Sequence, residues 1–439
     1  MLRVILPSDA DRAARLGPLL HRAEDTPAEV EKSARRILDD VRARGDAAVR
    51  EATEKFDKRT LGALEIGRDE WYREADRTDA ELSRIITRAH DHIRRFHAAE
   101  AERVLATGFT LRDEHSVHGG KLLSLGLRPL ARAGLYAPGG TARYPSTVLM
   151  TAVPAKCAGV GELVLVTPGP SPETLFAARL AGVDRVFGIG GAQAIGALAY
   201  GTESVPRVDK IVGPGNAYVA AAKRLVFGSV DIDQVAGPSE VLVVAEEGAA
   251  DPVHVAADLL AQAEHDVDAY AVLVTPSEAL ARAVAAEVER QLATLPRRDI
   301  ARASIERHGA AVVTGTLAEA REFANEFAAE HLHVQVKNMD PHAIAAEYPN
   351  AGAIFVGAMT PEPVGDYFAG PNHVLPTGGS ARFSSPLGVH DFVKRTSVLW
   401  YSAARLADEG PDIIRFAESE GLEGHGRAIA ARLGGKGAP

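Results

Sequence analysis

The chain has 439 residues, 46% of them apolar and 25% charged, with a formal net charge of −10 and a pI near 5.9. That length suggests roughly two to four domains, and the acidic balance excludes a nucleic-acid surface, because phosphate binding needs clustered Lys and Arg. A single cysteine, Cys157, excludes an intrachain disulfide and a cysteine-cage zinc site, so a metal must be held by His, carboxylate or amide oxygen.

In chain order, the opening MLRVILPSDADRAARL carries acids too early, and too short an apolar run, for a signal peptide. Thr26-Pro27-Ala28-Glu29 predicts an N-cap, a first-turn proline and a capping-box Glu, with helix continuing past Val41. Thr78-Asp79-Ala80-Glu81 repeats the signal, and Leu82, Ile85, Ile86, Ala89, Ile93 and Phe96 keep helical spacing on one face. The nearest approach to a membrane span, Thr147 to Thr167, is broken by Pro154, Lys156 and Glu162. A cytoplasmic protein is expected.

From about residue 130, short apolar strands alternate with helices. The expected strands are Ala133–Ala137, Leu163–Thr167, Arg185–Ile189, Lys210–Val212, Val241–Ala245, Ala271–Thr275, Ala310–Thr314, Leu332–Val336 and Ala353–Val356. Pro172–Ala181, Asn216–Phe227, Val253–Glu264 and Leu317–Ala328 are expected helices. Such alternation means parallel sheets covered by helices. The fold class is therefore α/β, with two Rossmann-like halves at 130–238 and 239–380 that divide near Ala236-Gly237-Pro238. A helical region, 1–129, is expected to pack on the 239–380 half. The tail, 381–439, is expected to be helical and ends in Gly434-Gly435-Lys436-Gly437.

Ligands of doubly wound sheets collect at the carboxyl ends of the strands. Three glycine turns follow strands here: Ala137-Pro138-Gly139-Gly140, Gly188-Ile189-Gly190-Gly191-Ala192-Gln193 and Gly213-Pro214-Gly215-Asn216. None has the G-x-G-x-x-G dinucleotide spacing, so each is either a tight strand–helix turn or a cofactor cradle. Gln262 and His265, at i and i+3 on the helix that starts near Pro252, can share a metal or substrate, or form a solvent face. Glu330-His331-Leu332-His333 joins a helix to a strand. There, a carboxylate beside an imidazole suits successive proton removals; alternatively, Glu330 caps the junction and His333 packs.

From Gly357 to His390 there are 34 residues, six Gly and five Pro, with only Glu362, Asp366 and Arg382 charged. So many breakers preclude uninterrupted helix or strand. Val364, Tyr367, Phe368, Val374, Leu375, Phe383, Leu387 and Val389 argue against disorder, which leaves a folded, site-forming loop. Asp366 and His373 lie in it. Cys157, beside Lys156 in an apolar stretch, reads as a packed thiol.

Together these segments resemble the L-histidinol dehydrogenase family over nearly the whole chain. The motifs that carry the resemblance are GLYAPGG (134–140), GGAQAIGALAYGT (190–202), GPGNAYV (213–219), DIDQVAGPSEVLV (231–243), DLLAQAEH (258–265), AEHL (329–332), NAGAIFVG (350–357), PEPVGDYFAGPNHVLPTGGSARFSSPLGV (361–389) and EGLEGH (420–425). The resemblance implies a zinc enzyme that oxidises an amino alcohol to an amino acid through an aldehyde, with two NAD in succession. It places zinc on Gln262, His265, Asp366 and His425, and the catalytic pair on Glu330 and His331. Substrate contacts carry over to Ser239, Gln262, His265, His331, Asp366, His373, Glu420 and His425, and NAD contacts to Tyr136, Gln193 and Asn216. It further implies a homodimer in which the tail, with Glu420 and His425, completes the neighbour's site. Gly424 and Gly426, poor helix formers, flank His425 where the family continues a helix. Two other readings remain: the same scaffold acting on another small polyol or a sulfonated alcohol, and a zinc hydrolase in which Glu330 activates water.

Overall fold

The computed structural model describes residues 1–22, 28–113, 120–139 and 143–434. Thr26-Pro27 of the first cap, Gly140 of the first glycine turn and Gly435-Lys436-Gly437 of the tail lie outside the described residues. The chain divides into two units, Met1–Glu100 with Leu130–Phe392, and Ala101–Pro129 with Val393–Pro439.

The first unit holds two six-stranded sheets. In spatial order the first sheet runs Glu65–Ile66, Arg185–Phe187, Glu162–Val166, Arg132–Tyr136, Lys210–Val212, Asp231–Ile232, parallel except at Glu65–Ile66. The second runs Arg3–Ile5, Ala310–Val313, Tyr270–Thr275, Glu240–Ala245, His331–Gln335, Ala353–Val356 and is parallel throughout. Without the edge strand lent by the N-terminal region, each sheet has the doubly wound order third, second, first, fourth, fifth. All nine expected strands are present. The additional edges, Arg3–Ile5, Glu65–Ile66 and Asp231–Ile232, are too short to show a period in sequence.

Both faces of the second sheet are buried, as parallel sheets require. Val241 and Val243 face one apolar cluster with Val255 and Leu259, while Leu242 and Val244 face another with Phe323 and Phe327. Each such side chain contributes about 1.5–3 kcal/mol when fully buried. On the first sheet, Val164, Val166 and Phe187 pack with Leu38 and Val41 of the helix Ala28–Arg44. That contact is close because Gly196 has no Cβ; one built there would sit 3.1 Å from Leu38 Cδ2 and 3.3 Å from Val41. The expected packing of the N-terminal region is thereby corrected. The correction is partial: the helices Ala28–Arg44, Asp46–Asp57 and Arg68–Ala75 contact the 130–238 half, whereas Arg3–Ile5, the helix Arg12–Leu20 and His92 of the helix Ala80–Leu105, whose Nδ1 donates to Phe368 O at 2.7 Å, contact the other.

The long glycine- and proline-rich loop is folded and buried against both halves. Asn372 Nδ2 donates to Met150 O at 2.6 Å, Gly237 N donates to Thr377 Oγ1 at 2.6 Å, and Gln234 Nε2 donates to Leu375 O. It is less irregular than its composition suggests, because Glu362–Tyr367 forms a short helix. Pro363 lies in the first turn, where a missing N–H leaves no helical bond unmade.

In the second unit, Val393–Tyr401, Lys121–Pro129 and Phe109–Asp113 form an antiparallel sheet in that order, followed by the helices Ala403–Ser419 and Glu423–Ala430. The tail thus begins as a strand rather than a helix. Val393, Thr396, Val398, Trp400 and Tyr401 favour extended chain, and Lys121–Pro129 supplies the ladder. Helix continues through Gly424, His425 and Gly426. Gly426 is buried and faces Ile414, while a Cβ on Gly410 would lie 2.7 Å from Leu433, so close helix packing outweighs weak propensity.

Candidate active site and metal centre

The polar residues of the second sheet gather at the amino ends of two adjacent inner strands. Glu240 opens one strand, His331 opens its neighbour, and Glu330 precedes His331. The helix Pro252–Ala263 ends at this same edge with Gln262 in its last turn. A helix carboxyl end carries negative partial charge and favours cations. For this half, the expected crevice at the carboxyl ends of the strands is therefore corrected. Gln262 and His265, expected to share a face, both reach Glu362, although not as neighbours on one helix. The helix stops at Ala263, so His265 follows it in a tighter turn (N–H to Gln262 O, 3.1 Å), leaving Gln262 buried and His265 exposed.

Glu362 and Asp366, four residues apart on the short loop helix, present one face. Among the described residues, a ring nitrogen of His265 and carboxylate oxygens of Glu362 and Asp366 lie within 4.8 Å of one another. Gln262 is oriented by its surroundings. With Nε2 donating to Glu240 O (3.2 Å) and to Glu362 Oε1 and Oε2 (3.2 and 3.3 Å), its amide oxygen is turned away from those acceptors. Burial, then the charges of Asp366, Glu330 and Asp258, hold the Glu362 carboxyl well above the usual range. Burial likewise raises Asp366 to about 7. Crowded carboxyls beside an imidazole and an amide oxygen are a donor set that fits a divalent cation.

His331 and Glu330 face this cluster. His331 Nδ1 donates to Glu240 O at 3.0 Å, which fixes the tautomer and leaves Nε2 as a bare acceptor. Nε2 is buried without a hydrogen-bond partner among the described residues and lies 3.8 Å from Asp366 Oδ1. Burial lowers the His331 pKa to about 3, so the ring is neutral at physiological pH. Glu330 is buried, with Oε2 accepting from Glu240 N at 2.8 Å and lying 3.7 Å from His331 Nδ1. Burial, reinforced by the Glu240 charge, raises its carboxyl well above the usual range. His373 Nδ1 donates to Asp366 O at 3.1 Å, and burial lowers its pKa to about 4. Ser239 is half-buried beside Glu240, and its carbonyl accepts from Tyr270 N at 2.9 Å. His333 serves structure, bonding Asp258 at 2.9 Å and Gly357 O at 2.9 Å.

On the first sheet the residues expected to contact NAD lie at the carboxyl ends of strands. Tyr136 ends its strand, Gln193 follows the carboxyl end of Arg185–Phe187, and Asn216 follows that of Lys210–Val212. Tyr136 Oη accepts from Gly191 N at 3.1 Å. Gln193 is buried, and its Nε2 has no partner among the described residues, an orphan donor in a glycine-rich turn. Asn216 caps the helix Ala217–Val226, its Oδ1 accepting from Tyr218 N and Val219 N at 3.1 Å each. In the second unit, Glu420 is the exposed C-cap of Ala403–Ser419, and His425 is exposed in the first turn of Glu423–Ala430.

Sequence reasoning missed Glu362 and Glu240. Glu362 had a signal, its i, i+4 spacing to Asp366, which the loop reading suppressed. Glu240 acts largely through main-chain atoms, and no side-chain pattern announces that.

The family model described as histidinol dehydrogenase matches residues 20–433. The histidinol dehydrogenase of Geobacter sulfurreducens is 50% identical over 434 residues, covering 97% of this chain and 98% of the relative. That of Geobacillus kaustophilus is 52% identical over 411 residues, covering 92% and 94%. The crystal structure of histidinol dehydrogenase from Elizabethkingia anophelis superposes with a TM-score of 0.87 at 33% identity, over 98% of each chain. A model match across almost the entire sequence, half-identical relatives of equal length and a shared fold lead to one conclusion: the chain belongs to the histidinol dehydrogenase family.

Proposed function

We propose that this enzyme oxidises L-histidinol to L-histidine through L-histidinal, the last step of histidine biosynthesis in the cytoplasm, using two NAD and one zinc ion per subunit. Gln262, His265 and Asp366 would hold the zinc, with His425 supplied by the partner subunit of a homodimer. Tyr136, Gln193 and Asn216 would line the NAD site. Bound zinc supplies a Lewis acid for the substrate's imidazole and amine nitrogens, and NAD accepts each hydride.

The chain's own residues handle the protons. His331 Nε2, an acceptor held in place through Nδ1, takes the hydroxyl proton as hydride leaves the alcohol carbon. Glu330 takes a proton from the water that adds to the aldehyde, and a second hydride leaves the hydrated carbon. The balance is alcohol, water and two NAD⁺ giving carboxylate, two NADH and three protons. Ser239, His373 and the partner's Glu420 would select an imidazole- and amine-bearing substrate. The folded loop at 361–390 excludes water from the reactive aldehyde.

The observation that carries this reading is the unpartnered His331 Nε2 facing a nitrogen-and-carboxylate cluster of metal-binding dimensions. The dimer has separate support. Phe109, Leu111, Leu399, Trp400 and Phe416 in the second unit are more than half exposed, more apolar surface than a self-sufficient sheet leaves open. Purified enzyme given histidinol and NAD should release histidine, identified by chromatography. Turnover confined to a polyol or a sulfonated alcohol would favour the alternative substrate, and histidinol turnover without NADH would favour hydrolysis.

A further inference from the structure

Beneath the catalytic pair lies a buried ion pair that the chemistry above does not use. Arg22, just past the N-terminal helix, donates from Nε and Nη2 to the two carboxylate oxygens of Glu240 at 2.7 and 2.6 Å. Both side chains are only 1% exposed. The guanidinium is pinned further by Leu19 O (3.2 Å), Ala328 O (3.3 Å) and the face of Phe327, whose ring centroid is 3.6 Å away. Such a pair is expensive to desolvate and is a poor source of stability by itself, so its position invites another explanation.

Glu240 is bonded to both members of the catalytic pair, to Gln262 and to the long loop. Its N–H donates to Glu330 Oε2 at 2.8 Å, and its Oε2 accepts from Glu330 N at 3.3 Å, a reciprocal clasp. Its carbonyl accepts from His331 Nδ1 and from the Gln262 amide. Its Oε1 accepts from Gly378 N at 2.7 Å, tying in the long loop. A shift of the Glu240 side chain or backbone therefore moves the water-activating carboxyl, the alcohol base and a metal-facing amide together.

We infer that Arg22 and Glu240 form a positioning unit: the buried guanidinium locks Glu240, and Glu240 aims Glu330 and His331. This rests on the proposed roles of Glu330 and His331. Arg22 touches no reacting atom and is no catalytic residue. Its planar fork, which lysine cannot reproduce, grips both carboxylate oxygens at once.

The test separates aiming from mere stability. Arg22→Met alone strands a buried carboxylate and should lower thermal stability. The double variant Arg22→Met/Glu240→Leu removes both charges and should recover most of that loss. If the pair aims the site, the zinc-loaded double variant keeps a poor kcat, down about 100-fold, the scale expected for an ångström of misplacement. Its KM for histidinol, measured at saturating zinc, should change less than about threefold. Should the double variant fail to fold, Arg22→Lys keeps charge and bulk and should lower kcat about tenfold at near-normal stability. A stable double variant, or failing that Arg22→Lys, with wild-type kcat would overturn the positioning role. Glu330→Gln and His331→Asn are assayed in parallel. If neither slows turnover, the roles assigned to those residues fail, a result distinguishable from normal turnover in the Arg22 variants alone.

Discussion

Replacing Glu330 with glutamine isolates the second half of the proposed reaction. The carboxyl is buried, and burial together with the Glu240 charge holds its pKa well above the usual range. Glutamine has the shape of the glutamate side chain, carries no charge to bury, and retains an oxygen to accept from Glu240 N, now at 2.8 Å. Stability should therefore change by less than about 1 kcal/mol. Chemistry should suffer more, because the amide cannot take a proton from water. A positioned general base is worth about 10²–10⁴-fold, or about 3–5 kcal/mol in the barrier to aldehyde oxidation. Alcohol oxidation should be nearly spared, because His331 is held by Glu240 O at 3.0 Å while Glu330 Oε2 lies 3.7 Å away, beyond hydrogen-bonding distance. Stopped-flow absorbance at the NADH band should show one rapid equivalent from histidinol and a second slowed by that factor. Equal slowing of both equivalents, or of neither, would refute the division of labour.

Three further outcomes follow from the geometry. Asp366 has a folded pKa of about 7, above the ordinary carboxylate value, so metal-free folded protein binds more protons than unfolded protein between about pH 4 and 7. Its stability contribution is then lost as pH rises through that window, by about 4 kcal/mol at most. Zinc needs the carboxylate, so the Tm gained on adding zinc to chelated enzyme should grow from pH 5 to pH 7; a constant gain would mean that no proton is displaced. Gly191 has φ +64°, and a Cβ there would sit 2.6 Å from Gln193 Oε1. Gly191→Ala should cost about 1–3 kcal/mol by chemical denaturation and raise KM for NAD more than for histidinol, and equal effects on both would detach Gln193 from the cofactor. Asp366→Ala and His425→Ala chains, each inactive alone, should regain activity when mixed as heterodimers, since one of the two sites then has every ligand. No recovery would argue against sites shared between subunits.

Most of the fold was legible because its strands are apolar runs bounded by glycine and proline, and both sheets bury two faces. Val393–Tyr401 was misread, although VKRTSVLWY is a strand-forming sequence, because its partner Lys121–Pro129 lies far away along the chain. Three of the N-terminal helices, Ala28–Arg44, Asp46–Asp57 and Arg68–Ala75, were assigned to the wrong half, since an apolar stripe such as Leu38 and Val41 does not say which surface it covers. At the site, Glu330, His331, Gln262, His265 and Asp366 were named from the sequence through a family resemblance, and their spacing alone left bland alternatives open. The Glu240 hub was beyond reach, as three of its contacts run through its own N–H and carbonyl. Arg22 meets it only because the fold closes 218 residues of separation.

The most direct measurement is the number of NADH formed per histidinol consumed, taken on enzyme stripped of metal and again after one equivalent of zinc is restored. Two NADH per histidinol with zinc, and essentially none without it, is the predicted result. A ratio of one, or a ratio indifferent to metal, would contradict a four-electron oxidation organised around this cluster of His265, Gln262 and Asp366.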